Sequence, residues 1–158
     1  MEPVFLLLTE QASFVTALVL LYLLYGVYVR KTYPRVFFWF PALSLLLSAL
    51  SVNVLKLLIG RPRPYSSHSE IIQLTDGGGF SFPSGHTAEV FALLFSLWIL
   101  FKNKYVRATA LLWALFIAYT RIAFGVHYPS DIAGGILLSA VCVRLVQSFV
   151  FRKFPVNP

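Results

Sequence analysis

The chain has 158 residues, of which 58% are hydrophobic and 12% charged, with a formal net charge of +7 and a mean hydropathy of +0.77. That length suits one domain over residues 1–158, and charge this sparse excludes an ordinary water-facing globule, in which about a quarter of residues are charged. The basic residues sit at the ends of apolar runs, so the positive balance reads as membrane topology and not as nucleic-acid binding.

Residues 1–10 form a short apolar piece carrying Glu2 and Glu10. They lack the basic start of a secretory signal, so the first apolar run is expected to stay as an anchor. Pro3 to Leu8 reads as an interfacial helix or an extension of the first span, and Glu10 argues against burying the whole stretch in lipid. Five apolar runs follow, at about 11–29, 36–56, 84–101, 108–120 and 131–151. A crossing takes roughly 20 residues, with a range of about 17–25. The third and fourth runs are at or below that limit and are expected to borrow flanking residues or to cross a thin region. The expected fold is an all-α integral membrane bundle of five transmembrane helices, or six if the N-terminal piece also crosses. Cys142 is the only cysteine, which excludes an intrachain disulfide and a Cys-based zinc site; it reads as a packing residue within the last span.

Charge sets the orientation. Arg30, Lys31, Arg35, Lys102, Lys104, Arg107, Arg144, Arg152 and Lys153 all fall on one side, with Arg144 snorkelling from within its span. The positive-inside rule makes that side, and the C-terminus, cytoplasmic. Lys56, Arg61, Arg63 and Arg121 fall on the other side, together with the six acids Glu2, Glu10, Glu70, Asp76, Glu89 and Asp131. Four cations against the topology rule call for a separate reason, and an anionic ligand supplies one.

Three segments gather on that outer side. In Lys56 to Pro64, a lysine ends a helix; Gly60, Pro62 and Pro64 then stiffen an extended exit that holds guanidinium groups near the ammonium. Arginine suits bidentate contact with phosphate oxygens, and lysine acts as a point charge. In Phe82 to Thr87, Pro83 and Ser84 suit a helix start, whose free N–H groups favour an anion. Gly85 allows close approach to the backbone, and His86 stands beside the site to give or take a proton. In Thr120 to Asp131, Arg121 closes the fourth span, His127 lies in the turn and Asp131 opens the fifth span. A carboxylate four residues after an imidazole can hold Nδ1–H and leave Nε2 free to attack, and it can cap the helix as well.

Together these segments resemble the type 2 phosphatidic acid phosphatase (PAP2) superfamily. The family pattern is Lys-x6-Arg-Pro, Pro-Ser-Gly-His and Ser-Arg-x5-His-x3-Asp. This chain has Lys56 with Arg63-Pro64, then Pro83-Ser84-Gly85-His86, then Thr120-Arg121, His127 and Asp131. Thr120 replaces the family's serine but keeps a hydroxyl, and the span count is one short of the common six. The resemblance implies a membrane lipid phosphatase acting on a phosphate monoester or pyrophosphate: phosphatidylglycerophosphate, lipid A 1-phosphate, undecaprenyl pyrophosphate or phosphatidic acid. His127 would form a phosphohistidine, Asp131 would orient it, and His86 would protonate the leaving oxygen. Lys56, Arg63, Ser84, Gly85 and Arg121 would hold the phosphoryl oxygens, with no metal or other cofactor expected. The family's habits imply a bacterial inner membrane with the site facing outward. A phosphotransferase that passes the phosphoryl group to a hydroxyl acceptor, or a non-catalytic lipid-binding protein, are the alternatives. Arg61 lies outside the motif and reads first as facing solvent, with contact to a second phosphate or a neighbouring lipid as the alternatives. Glu89, one turn after His86, reads equally as a partner of an active-site cation or as a structural group. The polar 65–82 loop, with His68 and Gly77-Gly78-Gly79, reads as a plain connector, though it could shape the substrate entrance.

Overall fold

The computed structural model describes residues 11–75 and 77–153. The expectations for residues 1–10, and for the side on which Asp76 lies, fall outside the described residues. Among the described residues six helices occur in order: α1 (Ala12–Tyr28), α2 (Val36–Ile59), α3 (Pro64–Ser67), α4 (Gly85–Leu100), α5 (Lys104–Ala123) and α6 (Pro129–Lys153). Helix α3 is a single turn in the loop; the other five form the bundle, and no strand occurs among the described residues.

Helices α2, α5 and α6 are long and apolar enough to cross a bilayer. The fourth run gains its length as expected, starting at Lys104 behind an Asn103 cap that accepts from the Tyr105 and Val106 N–H groups. The third gains nothing: α4 has 16 residues, about 24 Å at 1.5 Å per residue against a core of about 30 Å. Its shortness is tolerable because it is the central helix. It packs against α1, α2, α5 and α6, and its buried positions run almost all the way round, from Thr87 and Ala88 through Val90, Phe91 and Leu94 to Leu97.

The outer faces are apolar. On α6, Leu137, Val141, Leu145 and Phe149 recur every four residues, all more than half exposed. A stripe of that kind would drive aggregation in water, whereas in a bilayer hydrocarbon is its solvent. Between helices the fold relies on small residues. A Cβ at Gly135 would lie 2.8 Å from Ser84 O, and one at Gly134 would lie 2.4 Å from the Phe82 ring. These two glycines let α6 abut the start of α4. Buried Cys142 packs on Ser51 of α2, with Sγ 3.8 Å from Oγ. This is an integral membrane helical bundle.

Candidate active site at one end of the bundle

The end of α2, the starts of α4 and α6 and the end of α5 meet at one end of the bundle, and the three motif segments meet with them. His86 has Arg121, His127, Arg63 and Lys56 as its electrostatic neighbours. The first turn of α1 reaches the same end through Ser13, which donates to Glu89 at 2.8 Å.

Ser84 caps α4. Its side chain accepts from Thr87 Oγ1 at 2.9 Å, and its N–H donates to Asp131 O at 3.0 Å. The second bond ties the second motif to the third. Gly85 then starts the helix with only Val52 near where a Cβ would lie, at 3.7 Å, so the backbone there stays open to a ligand. Lys56 reaches from the last turn of α2, after which Gly60 ends the helix at φ +60°. Arg121 is buried at 2% exposure, with its guanidinium 5.6 Å from the Phe124 ring centroid. Thr120, in the family's serine position, donates its hydroxyl to Ile117 O at 2.7 Å, so the extra methyl leaves the helix end intact.

His127 sits in the turn after α5, which Gly125 makes possible. That residue has φ +68°, and a Cβ there would lie 2.5 Å from Ile71 Cγ2. His127 Nδ1 lies 3.4 Å from Asp131 Oδ2. The same oxygen accepts the Tyr128 N–H at 2.8 Å, so Asp131 caps α6 from its first turn while facing the imidazole. Burial pushes the His127 pKa below the ordinary 6.5, with the nearby cations adding to the shift and Asp131 opposing it. A neutral imidazole, oriented by Asp131 at one nitrogen, leaves the other as a nucleophile.

Two residues at this carboxylate were not anticipated. Ser81 donates a short hydrogen bond to Asp131 Oδ2. Nothing in its spacing marks it, since it belongs to the loop and not to a motif. Arg61, read from sequence as facing solvent, instead pairs with Asp131: Nη1 lies 2.7 Å from Oδ1 and 2.6 Å from Ser130 Oγ. Its guanidinium also stacks 3.9 Å from the Tyr128 ring centroid. The anion that draws Arg61 to this end is a protein carboxylate 70 positions away. The 65–82 loop is also more than a connector. Arg63 donates to the carbonyls of Gly78 at 2.8 Å, Gly79 at 3.0 Å and Val126 at 3.0 Å, and Lys56 donates to Phe80 O. The loop backbone thus meets both cations of the first motif. Glu89 accepts from Ser13 of α1 and, among the described residues, meets no active-site cation directly.

From Lys56 and His86 a cavity of about 590 Å³ runs down between α1, α2 and α4. Its deeper wall includes Leu20, Leu45, Leu46 and Ala49. Leu46 is 56% exposed, so the cavity opens sideways toward lipid.

The chain is 37% identical over 92 residues to the lipid A 4'-phosphatase of Bacteroides thetaiotaomicron, covering 54% of this chain and 41% of that protein. It is 26% identical over 155 residues to the undecaprenyl-diphosphatase BcrC of Bacillus subtilis, covering 98% and 75%. The chain spans about half the length of most of the curated relatives it matches. The crystal structure of Aquifex aeolicus LpxE superposes with a TM-score of 0.74 at 26% identity, over 94% of this chain and 88% of that one. The PAP2 superfamily model matches residues 37–155, and the chain belongs to that superfamily.

Proposed function

We propose that the protein is a lipid phosphatase that hydrolyses a phosphate monoester or pyrophosphate through a phosphohistidine on His127. The observation that carries this reading is the Asp131–His127 pair, set among Lys56, Arg63, Arg121 and His86, of which Lys56 and His86 also line a cavity that opens to lipid. Its relatives include a lipid A phosphatase and an undecaprenyl-diphosphatase, and both substrates named there are phosphorylated lipids.

The substrate's phosphate enters the cationic end while its tail lies in the cavity. Arg63 and Lys56 exchange loop carbonyls for phosphoryl oxygens, joined by Arg121 and the N–H groups at Ser84 and Gly85. His127 Nε2 attacks phosphorus, and the bond to the leaving oxygen breaks as His86 gives that oxygen a proton. Asp131 holds Nδ1–H and offsets the charge that develops on the imidazole. His86, now neutral, takes a proton from a water whose oxygen attacks phosphorus, and the P–N bond breaks to free phosphate and His127. The cations offset charge on the equatorial oxygens in both steps.

The eight basic residues Arg30, Lys31, Arg35, Lys102, Lys104, Arg107, Arg152 and Lys153 border the opposite end of the bundle. By the positive-inside rule the active site faces away from the cytoplasm and the C-terminus faces into it, and the bacterial relatives point to a bacterial inner membrane. Phosphate release from the purified enzyme over phosphatidylglycerophosphate, lipid A 1-phosphate, undecaprenyl pyrophosphate and phosphatidic acid tests the reading. Release from at least one supports it, and transfer to a hydroxyl acceptor without free phosphate defeats it.

A further inference from the structure

The cavity below the cations is not uniformly apolar. At its head are Lys56 and His86. One helical turn deeper, about 4.5 Å by helix rise, lie Asn53 on α2 and Glu89 on α4, each three residues from its cation-end neighbour. Ser13 of α1 completes that layer by donating to Glu89 Oε2 at 2.8 Å, and all three line the cavity. Deeper again, eight residues or about 12 Å before Lys56, Ser48 lines the same wall. Its hydroxyl is buried and has no hydrogen-bond partner among the described residues. Polar side chains facing hydrocarbon are expensive, so groups of this kind at graded depth mark a polar ligand.

We infer that Glu89, Asn53 and Ser13 form a subsite for the leaving group next to the phosphate, selecting phospholipids that carry a hydroxyl or amide N–H there. The inference rests on the phosphatase reading and deepens it. With the phosphate at Lys56 and His86, atoms one turn down meet a carboxyl group that accepts hydrogen bonds. A glycerol hydroxyl or the amide of an acylated amino sugar satisfies it, and Ser48 then donates to a carbonyl of the acyl linkage. A prenyl chain offers neither donor nor carbonyl, and leaves Glu89 with Ser13 as its partner and its second oxygen without a donor from the substrate. A site built to bond a polar group discriminates against analogues that lack it far more strongly than an apolar pocket discriminates by shape.

The test compares kcat/KM for four probes in mixed micelles. Phosphatidylglycerophosphate and a 1-phosphorylated diacylglucosamine carry a donor beside the phosphate, whereas phosphatidic acid and farnesyl diphosphate do not. Wild type should favour the donor-bearing pair by at least about tenfold. Glu89→Leu should reduce that ratio to within about threefold. Glu89→Gln, near-isosteric and a guard against loss of fold, should give an intermediate ratio. A wild-type ratio near one, a preference for farnesyl diphosphate, or variants that slow all four probes equally would overturn the subsite. Phosphate release from none of the four by wild type would instead take down the phosphatase reading itself.

Discussion

Asp131→Asn exposes how much depends on one carboxylate. The side chain has no exposed surface. Oδ2 accepts from Tyr128 N–H and Ser81 and faces His127 Nδ1, while Oδ1 accepts from Arg61. An amide has one oxygen and one NH2. If the oxygen keeps the Oδ2 position, the NH2 faces the Arg61 guanidinium across about 2.7 Å, donor against donor. If it turns round, the NH2 faces the Tyr128 N–H across about 2.8 Å and forces His127 to protonate the nitrogen that must attack. Either arrangement leaves buried donors unmatched, at about 1–3 kcal/mol of stability. The catalytic loss should be larger, about 10³–10⁴-fold in kcat, because the neutral amide no longer balances a charged imidazole and favours the wrong tautomer. Phosphate release and thermal unfolding in the same detergent separate the two effects. Adding Arg61→Met to Asp131→Asn removes the donor clash, so unfolding temperature should recover while kcat stays low. More than a tenth of wild-type turnover in Asp131→Asn would refute the orienting role.

Arg61→Ala should lower kcat about tenfold with little change in KM, because Arg61 touches the carboxylate and not the phosphate; a rise in KM alone would make it a phosphate ligand. Since burial lowers the His127 pKa, the neutral form persists below pH 6.5, so the acid limb that His127 sets on kcat/KM should lie below that pH. The sign for stability is the same. The unfolded chain binds the His127 proton first, so stability is lost as pH falls from about 6.5 toward the folded pKa; an acid limb centred above 6.5 would contradict both. Gly135→Val should reduce folded yield and activity together, because its Cβ would lie 2.8 Å from Ser84 O, where α6 meets α4; wild-type activity would show that the contact does not position the site. Vanadate should inhibit as a mimic of pentacoordinate phosphorus, and EDTA should leave phosphate release unchanged. A reporter fused after Pro158 should read cytoplasmic.

The sequence made the spans and the motif residues legible because each is a local signal. Apolar length marks α2 and α6, and the four-residue gap between His127 and Asp131 follows from the turn and first helical turn that carry them. The extension of α5 to Lys104 was foreseeable from its short apolar run, but the fact that α4 stays short was not, because only tertiary contact shows it to be the buried centre of the bundle. Arg61 and Ser81 escaped for the same reason, and the sequence left two readings of Glu89 open. Arg61 meets its carboxylate across 70 positions and Ser81 across 50, and Glu89 meets Ser13 across 76. No periodicity records such separations. The glycine run looked like a flexible connector because glycines carry no side-chain signal, yet its carbonyls are what Arg63 holds.

The central claim is covalent chemistry at His127. Enzyme quenched in alkali during turnover of a ³²P-labelled lipid phosphate, digested and mapped by mass spectrometry, tests it most directly. The account predicts an alkali-stable, acid-labile phosphoryl group on the peptide that carries His127, at Nε2, and absent from His127→Ala. A label on His86, or full turnover by His127→Ala, would contradict it.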